Sequence, residues 1–208
     1  MTTNPLLALL GADESGEDTR IIEAALEQFA LTGVRRTSTD DIARRAGVNR
    51  ATLYRRLGPK GDIVGAAFLY EAGRVLGEIE SGLGDVETDD LGEYVVRFFT
   101  ITLTALRENR LLHQLLEVDR DETLRSLTLG AGGVLQLASA FVAERIERIR
   151  ERSGGSTDPA EIEALSGVLA RLTQSLLLTP DGPPVVQTSA QMRVFAEAVL
   201  VPMITGVR

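Results

Sequence analysis

The chain has 208 residues, 44% hydrophobic and 25% charged, with 22 Lys and Arg against 30 Asp and Glu, for a net charge of −8. It has no cysteine and one histidine, His113. This excludes disulfides, thiolate zinc sites, cysteine nucleophiles and His-based metal clusters, and no cofactor is expected. The charge is uneven: residues 1–33 carry −5, residues 34–60 carry +6 and residues 61–208 carry −9. A basic island in an acidic chain is what a nucleic-acid-binding module joined to another function shows.

Residues 1–17 have no basic n-region, and the apolar run at 6–10 is too short for a signal sequence, so they read as a disordered leader. No stretch reaches the roughly 18 apolar residues of a membrane span, so a cytoplasmic protein with no membrane partner is expected. From residue 18, Ile22, Leu26, Phe29 and Ala30 form one apolar helix face that ends at Gly33. Ser38 to Asp41 reads as an N-cap with an acid three positions on, opening a short helix that Gly47 stops. Asn49 caps a third helix at about 50–57, and Pro59 suits the start of a fourth running to about 82. Residues 82–90 read as a loop. Helices are then expected at about 91–108, 111–117, 121–152, 160–178 and 188–206, with glycines 130, 132 and 133 as weak points in the 121–152 stretch and Pro202 kinking or ending the last helix. Strand patterning is absent. The expected fold is all-α with about nine helices: a leader (1–17), a three-helix N-terminal domain (18–64) and a larger helical domain (65–208).

Residues 40–57, DDIARRAGVNRATLYRRL, carry the motif. Ile42, Ala43 and Ala46 give the first helix a small apolar face, Gly47 takes the positive φ of the turn, and Val48 and Leu53 anchor the second helix. The opposite face presents Asn49, Arg50, Thr52, Arg55 and Arg56. In this motif the second helix enters the major groove of double-stranded DNA. Arg50 and Arg55 are assigned to base readout, because Arg fits guanine bidentately. Thr52 suits a thymine methyl or a phosphate, and Ser38 and Thr39, at a helix N-terminus, suit phosphate. Arg36, Arg45 and Arg56 stand between DNA contact and solvated charge, and Asp40 and Asp41 read as helix N-terminal charges.

Residues 20–64 resemble the N-terminal domain of the TetR (tetracycline-repressor) family of bacterial transcription regulators. The likeness rests on the Ala-Ala-x-x-x-Phe-Ala helix, the Thr/Ser cap, Asp-Ile-Ala-x-x-Ala-Gly-Val, Thr-Leu-Tyr and the Lys past the third helix. Leu57 stands where an aromatic is usual, Asn49 replaces a Ser cap, and Pro59 and Gly61 flank Lys60 in place of Ser and an acid. The resemblance implies a homodimer, a palindromic operator and a small-molecule effector held in the C-terminal domain that lowers DNA affinity. It also implies phosphate contacts at Tyr54 and Lys60.

Beyond residue 65 the sequence is less specific. Ile162, Leu165, Leu169, Leu172 and Leu176, with Met192, Phe195, Val199 and Met203, follow three- and four-residue spacings. Such a stripe serves either a core or a helical interface. With the implied dimer, it is assigned to a four-helix interface with a second copy. Candidate effector contacts, chosen by location, are Tyr94, Phe98, His113, Leu116, Gln136, Phe141 and Thr173. No charged cluster stands out, which favours a neutral or amphipathic apolar ligand, and without a Gly-rich phosphate loop a nucleotide effector is not expected. Glu117, Asp119, Asp121 and Glu122 read as a solvated acidic loop. Two further readings stay open: an activating or ligand-independent DNA-binding regulator, and a helical small-molecule-binding protein or enzyme with a vestigial helix-turn-helix.

Overall fold

The computed structural model describes residues 16–83 and 90–206. The leader up to residue 15 and most of the loop expected at 82–90 lie outside the described residues. Every regular element among them is helical: α1 (Glu17–Thr32), α2 (Thr39–Ala46), α3 (Arg50–Leu57), α4 (Lys60–Leu83), α5 (Leu91–Arg107), α6 (Arg110–Val118), α7 (Arg120–Leu127), α8 (Gly132–Ser153), α9 (Pro159–Leu178), α10 (Ser189–Phe195), a π-helical turn (Ala196–Leu200) and α11 (Val201–Thr205). The chain is all-α, with an N-terminal helix-turn-helix bundle and a larger helical remainder. No single described helix is long and apolar enough to cross a membrane.

The chain separates into two compact units. The first comprises residues up to Gly73 together with Asn109–Val134, and the second Arg74–Glu108 with Leu135–Arg208. The division thus falls inside α4 and α8, and α6 and α7 belong with the helix-turn-helix.

In the first unit, Ile22, Leu26 and Phe29 are buried as the periodicity requires, and Ile21, Ala24 and Ala25 are buried beside them. The buried face of α1 is wider than one stripe because α2 and α6 both pack on it. Ile42, Ala43, Ala46, Leu53, Ile63 and Leu115 complete this core. The acidic run is not a wholly solvated loop. Asp119 is only 7% exposed. Its carboxylate accepts the Arg35 backbone N–H at 2.8 Å and lies 3.2 Å from Arg35 Nε. This closes the α1–α2 turn onto the α6–α7 junction. Gly33 makes that approach possible: its φ is +85°, and a Cβ there would lie 2.8 Å from the Asp119 Cβ.

In the second unit the main core joins α5 (Tyr94, Val95, Leu103), α8 (Ile146, Ile149), α9 (Ile162, Leu169, Leu176) and the last helical stretch (Met192, Ala196, Leu200, Ile204). A smaller cluster gathers Val75, Ile79, Leu83 and Phe98, with Phe141 and Ile101 against it. The single helix expected at 121–152 is broken between Leu127 and Gly132, where the Gly130 amide turns back to the Arg125 carbonyl at 3.0 Å. Three glycines in four residues lower helix propensity enough for the chain to turn there. Pro202 does not end the last helix, which resumes through Thr205. Pro202 cannot donate to the preceding turn, and the α pattern gives way to a π turn just before it.

Arg150, on α8, is 8% exposed at its side chain. It donates to the carbonyls of Ile204 (3.1 Å), Ser156 (2.8 Å) and Met203 (3.4 Å) and to Glu161 (3.4 Å). A cation holding the last carbonyls of a helix satisfies groups that have no partner within it.

Candidate nucleic-acid interface

The recognition segment is built by local capping. Ser38 caps α2: its hydroxyl accepts the Asp41 N–H at 3.1 Å, and the Asp41 carboxylate accepts the Ser38 N–H at 3.0 Å and hydroxyl at 2.6 Å. These bonds from Ser38 hold the Asp41 carboxyl below its ordinary pKa. Gly47 takes φ +66°, and the Asn49 side chain then accepts the Thr52 N–H at 2.8 Å to start α3. Leu53, fully buried, fastens α3 to the core, while Arg50, Tyr54 and Arg55 are exposed.

These residues differ in how free they are. Arg55 makes no hydrogen bond or ion pair among the described residues, so nothing there holds it back from a ligand. Arg50 is 3.4 Å from Asp40 and from the Tyr54 hydroxyl, and lies 5.3 Å from the centroid of the Tyr54 ring. Tyr54 also shares a 3.4 Å hydrogen bond with Thr39. Thr39 and Arg50 together pull the Tyr54 phenol below its ordinary pKa. Thr39 is itself buried, so its hydroxyl steadies Tyr54 instead of lying open to a phosphate. The Ser38 hydroxyl is engaged by Asp41. Lys60 Nζ donates to the Arg35 carbonyl at 3.1 Å. Arg56 is taken up inside the fold, by Glu17 at 2.6 Å and Asp18 at 3.0 Å, and Arg45 pairs with Glu27 at 3.0 Å. Asp40 faces Arg50, a role beyond that of a helix N-terminal charge. The α2–α3 surface therefore leaves Arg50, Arg55, Tyr54 and Asn49 exposed and Thr52 partly so, with the acids turned to capping or to pairing.

The expected effector contacts are not gathered in one place. Phe98 and Phe141 meet in the second unit, with ring centroids 6.0 Å apart. Tyr94 is buried in the main core, and the Thr173 hydroxyl bonds its own helix at the Leu169 carbonyl, 2.9 Å away. Gln136 is exposed on α8. His113, exposed, and Leu116, partly buried, belong to the first unit. A cavity of about 790 Å³ in that unit is lined by Arg35, Lys60, Val64, Phe68, Arg125 and Leu129 among others, and none of the expected contacts lines it. Arg145 is the residue that periodicity passed over. Its signal is that Leu137, Phe141, Arg145 and Ile149 recur every four residues, which places an arginine in an apolar stripe.

The assignment of the α9 and C-terminal stripe to a partner also divides. Ile162, Leu169, Leu176 and Met192 are buried in the chain's own core. Leu165, Leu172 and Phe195 pack partly against it, while Val199 and Met203 are exposed. Spacing alone could not separate the two faces, because three- and four-residue steps describe both. Val168 and Val194, exposed on the same helices, were outside the stripe.

Residues 21–67 match the family model described as bacterial regulatory proteins, tetR family. Residues 90–197, more than half of the chain, match that of the bacterial Tetracyclin repressor C-terminal domain. The chain belongs to the TetR family. It is thus a DNA-binding transcriptional regulator with a helix-turn-helix and a ligand-binding C-terminal region, and regulators of the TetR family generally act, without enzymatic activity, as homodimers on operator DNA and small-molecule effectors. Similar proteins match over most of the chain. An uncharacterised helix-turn-helix transcriptional regulator of Mycobacterium tuberculosis is 27% identical over 187 residues, covering 89% of this chain and 84% of its own. The TetR-family repressor AlkX of Dietzia sp. superposes with a TM-score of 0.66 at 18% identity, over 91% of this chain and 96% of its own. The repressor QsdR of R. erythropolis gives 0.65 at 20% identity, over 94% and 97%. At these identities the two structures carry the fold.

Proposed function

We propose that this protein is a repressor that binds a palindromic operator as a homodimer and leaves it when an apolar or amphipathic small molecule occupies its C-terminal domain (65–208). The observation that carries the reading is the recognition helix α3: buried at Leu53, capped by Asn49, and outward-facing at Arg50 and Arg55. Arg50 and Arg55 read base edges, with Thr52 and Asn49 beside them. Tyr54 and Lys60 hold phosphates, and Ser38 and Thr39 place the α2 N-terminus against the backbone. Arg50 exchanges its exposed partner Asp40 for a base on binding.

The second copy covers the exposed apolar side of α9 and the last helical stretch. Val199 and Met203 lie there, with Leu165, Leu172 and Phe195 at its margin and Val168 and Val194 added to it. A self-complementary pairing of this kind presents two recognition helices to half-sites about one DNA turn apart. The effector binds better to a conformation whose two α3 helices no longer match that spacing, with α4 as the lever, so DNA must weaken effector binding in return.

The test is fluorescence anisotropy on a selected operator and on a scrambled duplex of equal length. Arg50→Ala is expected to lose about ten- to a hundredfold on the operator and little on scrambled DNA, whereas Lys60→Ala weakens both alike. Equal losses on both duplexes for Arg50→Ala would contradict base readout. An effector affinity that operator DNA leaves unchanged would contradict the coupling.

A further inference from the structure

Two arginines one and a half turns apart on α8 are buried to opposite ends. Arg150 has carbonyl and carboxylate acceptors on all three of its nitrogens. Arg145, 2% exposed at its side chain, is poorly served. Its Nη1 donates to the Phe141 carbonyl at 2.6 Å and stands 3.9 Å from Glu144, and its Nη2 pairs with Glu80. Its Nε is buried with no hydrogen-bond partner. The guanidinium lies 3.3 Å from the centroid of the Phe141 ring and 5.8 Å from that of Phe98. Around it stands the smaller apolar cluster of the second unit, with Val75, Ile79 and Leu83 from α4. Burial, and then the neighbouring charge of Arg148, hold its pKa down to about 10.

Burying a guanidinium is costly unless its protons are matched, and a leucine would serve this stripe better if packing were its only purpose. The geometry says what is missing. Nε–H and Nη2 form the side-on fork of a guanidinium, the edge that takes both oxygens of a carboxylate. Glu80 holds the Nη2 half of that edge and leaves the Nε half empty. Glu80 is itself 54% exposed, so water can receive it when it leaves. One turn along α5 from Phe98, the Thr102 hydroxyl is also buried without a partner.

We propose that the Nε/Nη2 edge of Arg145 receives the carboxylate of an amphipathic acid whose apolar part lies on the Phe98–Phe141 cluster, with Glu80 as the placeholder it displaces. This rests on the effector reading above and narrows it from apolar or amphipathic molecules to acids. Glu80 lies near the end of α4, and α4 begins at Lys60. Displacing Glu80 therefore removes an ionic tie between α4 and α8 and gives the lever its differential contact.

The experiment is calorimetric titration of the full-length protein with hexanoate, decanoate, tetradecanoate and phenylbutyrate, each beside the corresponding alcohol. At least one acid is expected to bind about tenfold or more tightly than its alcohol. Arg145→Met should bring that acid down to the alcohol's affinity. Arg145→Lys, which keeps the charge but not the fork and covers the case of a Met variant that does not fold, should lose most of the preference. Glu80→Gln should tighten the acid several-fold by weakening the competitor. No binding by any acid, equal binding of acid and alcohol, or an acid preference that survives Arg145→Met and Arg145→Lys would overturn the proposal. Operator binding is read on the same preparations. Failure of the wild-type protein to bind any operator contradicts the repressor reading and leaves the acid titration to decide this one. Acid binding that leaves operator affinity unchanged supports the carboxylate site and contradicts its role as effector site.

Discussion

The recognition segment and the second unit handle polar groups in opposite ways. Between residues 38 and 60, the caps and several polar pairs lie three or four residues apart, Ser38 with Asp41, Asn49 with Thr52, Arg44 with Asp41 and Arg50 with Tyr54, while Arg45, Arg56 and Lys60 reach back to the first helix and its turn. The basic side chains that remain face water, ready for an anionic polymer. In the second unit, charge is taken inside and its partners are distant in sequence. Arg150 reaches Ile204, and Arg145 reaches Glu80. A surface meant for DNA is assembled from short-range caps that cost little if disturbed one at a time. A region meant to hold a small molecule buys its internal charges with long-range partners, and one of them is left half-matched.

The largest test of this contrast is Arg150→Ala. It strands the carbonyls of Ile204, Ser156 and Met203 and is expected to cost about 3–5 kcal/mol in urea unfolding. Arg145→Met on the same helix is expected to stay within about 1 kcal/mol of the parent or to gain stability, because an apolar side chain suits an unsatisfied ionic site. Similar large losses in both variants would erase the distinction between the two arginines. In the first unit, Leu53→Ala is expected to cost about 2–4 kcal/mol, since it empties the anchor of α3. Gly33→Ala is expected to cost about 1–2 kcal/mol from the positive φ, with Asp119 pushed from Arg35 as well.

The smallest effect is at the α2 cap, and it depends on pH. The folded-state pKa of Asp41 is lowered, so its contribution is present above the ordinary carboxylate pKa and is lost as pH falls through the lowered value. Asp41→Asn should therefore lower Tm slightly at neutral pH and flatten the acid limb of the Tm–pH curve. An unchanged acid limb would mean that the capping box adds nothing to the fold.

The same contrast explains what could be read from the sequence. The helices of the recognition segment, Gly47, both caps and the Leu53 anchor are local patterns, and they stand in the structure where the residues place them. From the sequence, Arg56 and Arg45 stand between DNA contact and solvated charge. Only the fold shows that Glu17, Asp18 and Glu27 come round to take them. Asp119 looked like one of four solvated acids until Gly33 and Arg35 closed on it. The stripe on α9 and the last helical stretch could not be divided between core and partner by spacing. Which three- and four-residue face is inward depends on where α5 and α8 pack, and that is a property of the whole unit. Arg145 sat in the apolar stripe in plain view, but a charged run, ERIERIRER, reads first as a solvated face.

In the reading proposed above, the basic face of α2–α3 reads a specific palindrome as a dimer. Selection of bound duplexes from a random-sequence pool by the full-length protein, followed by affinity measurement across a salt series, tests it most directly. An enriched palindrome is expected, with half-sites about one helical turn apart, bound at least about a thousandfold more tightly than scrambled DNA, and with affinity falling steeply as salt rises even though the chain as a whole is acidic. No enriched motif, or one without two-fold symmetry, would contradict it.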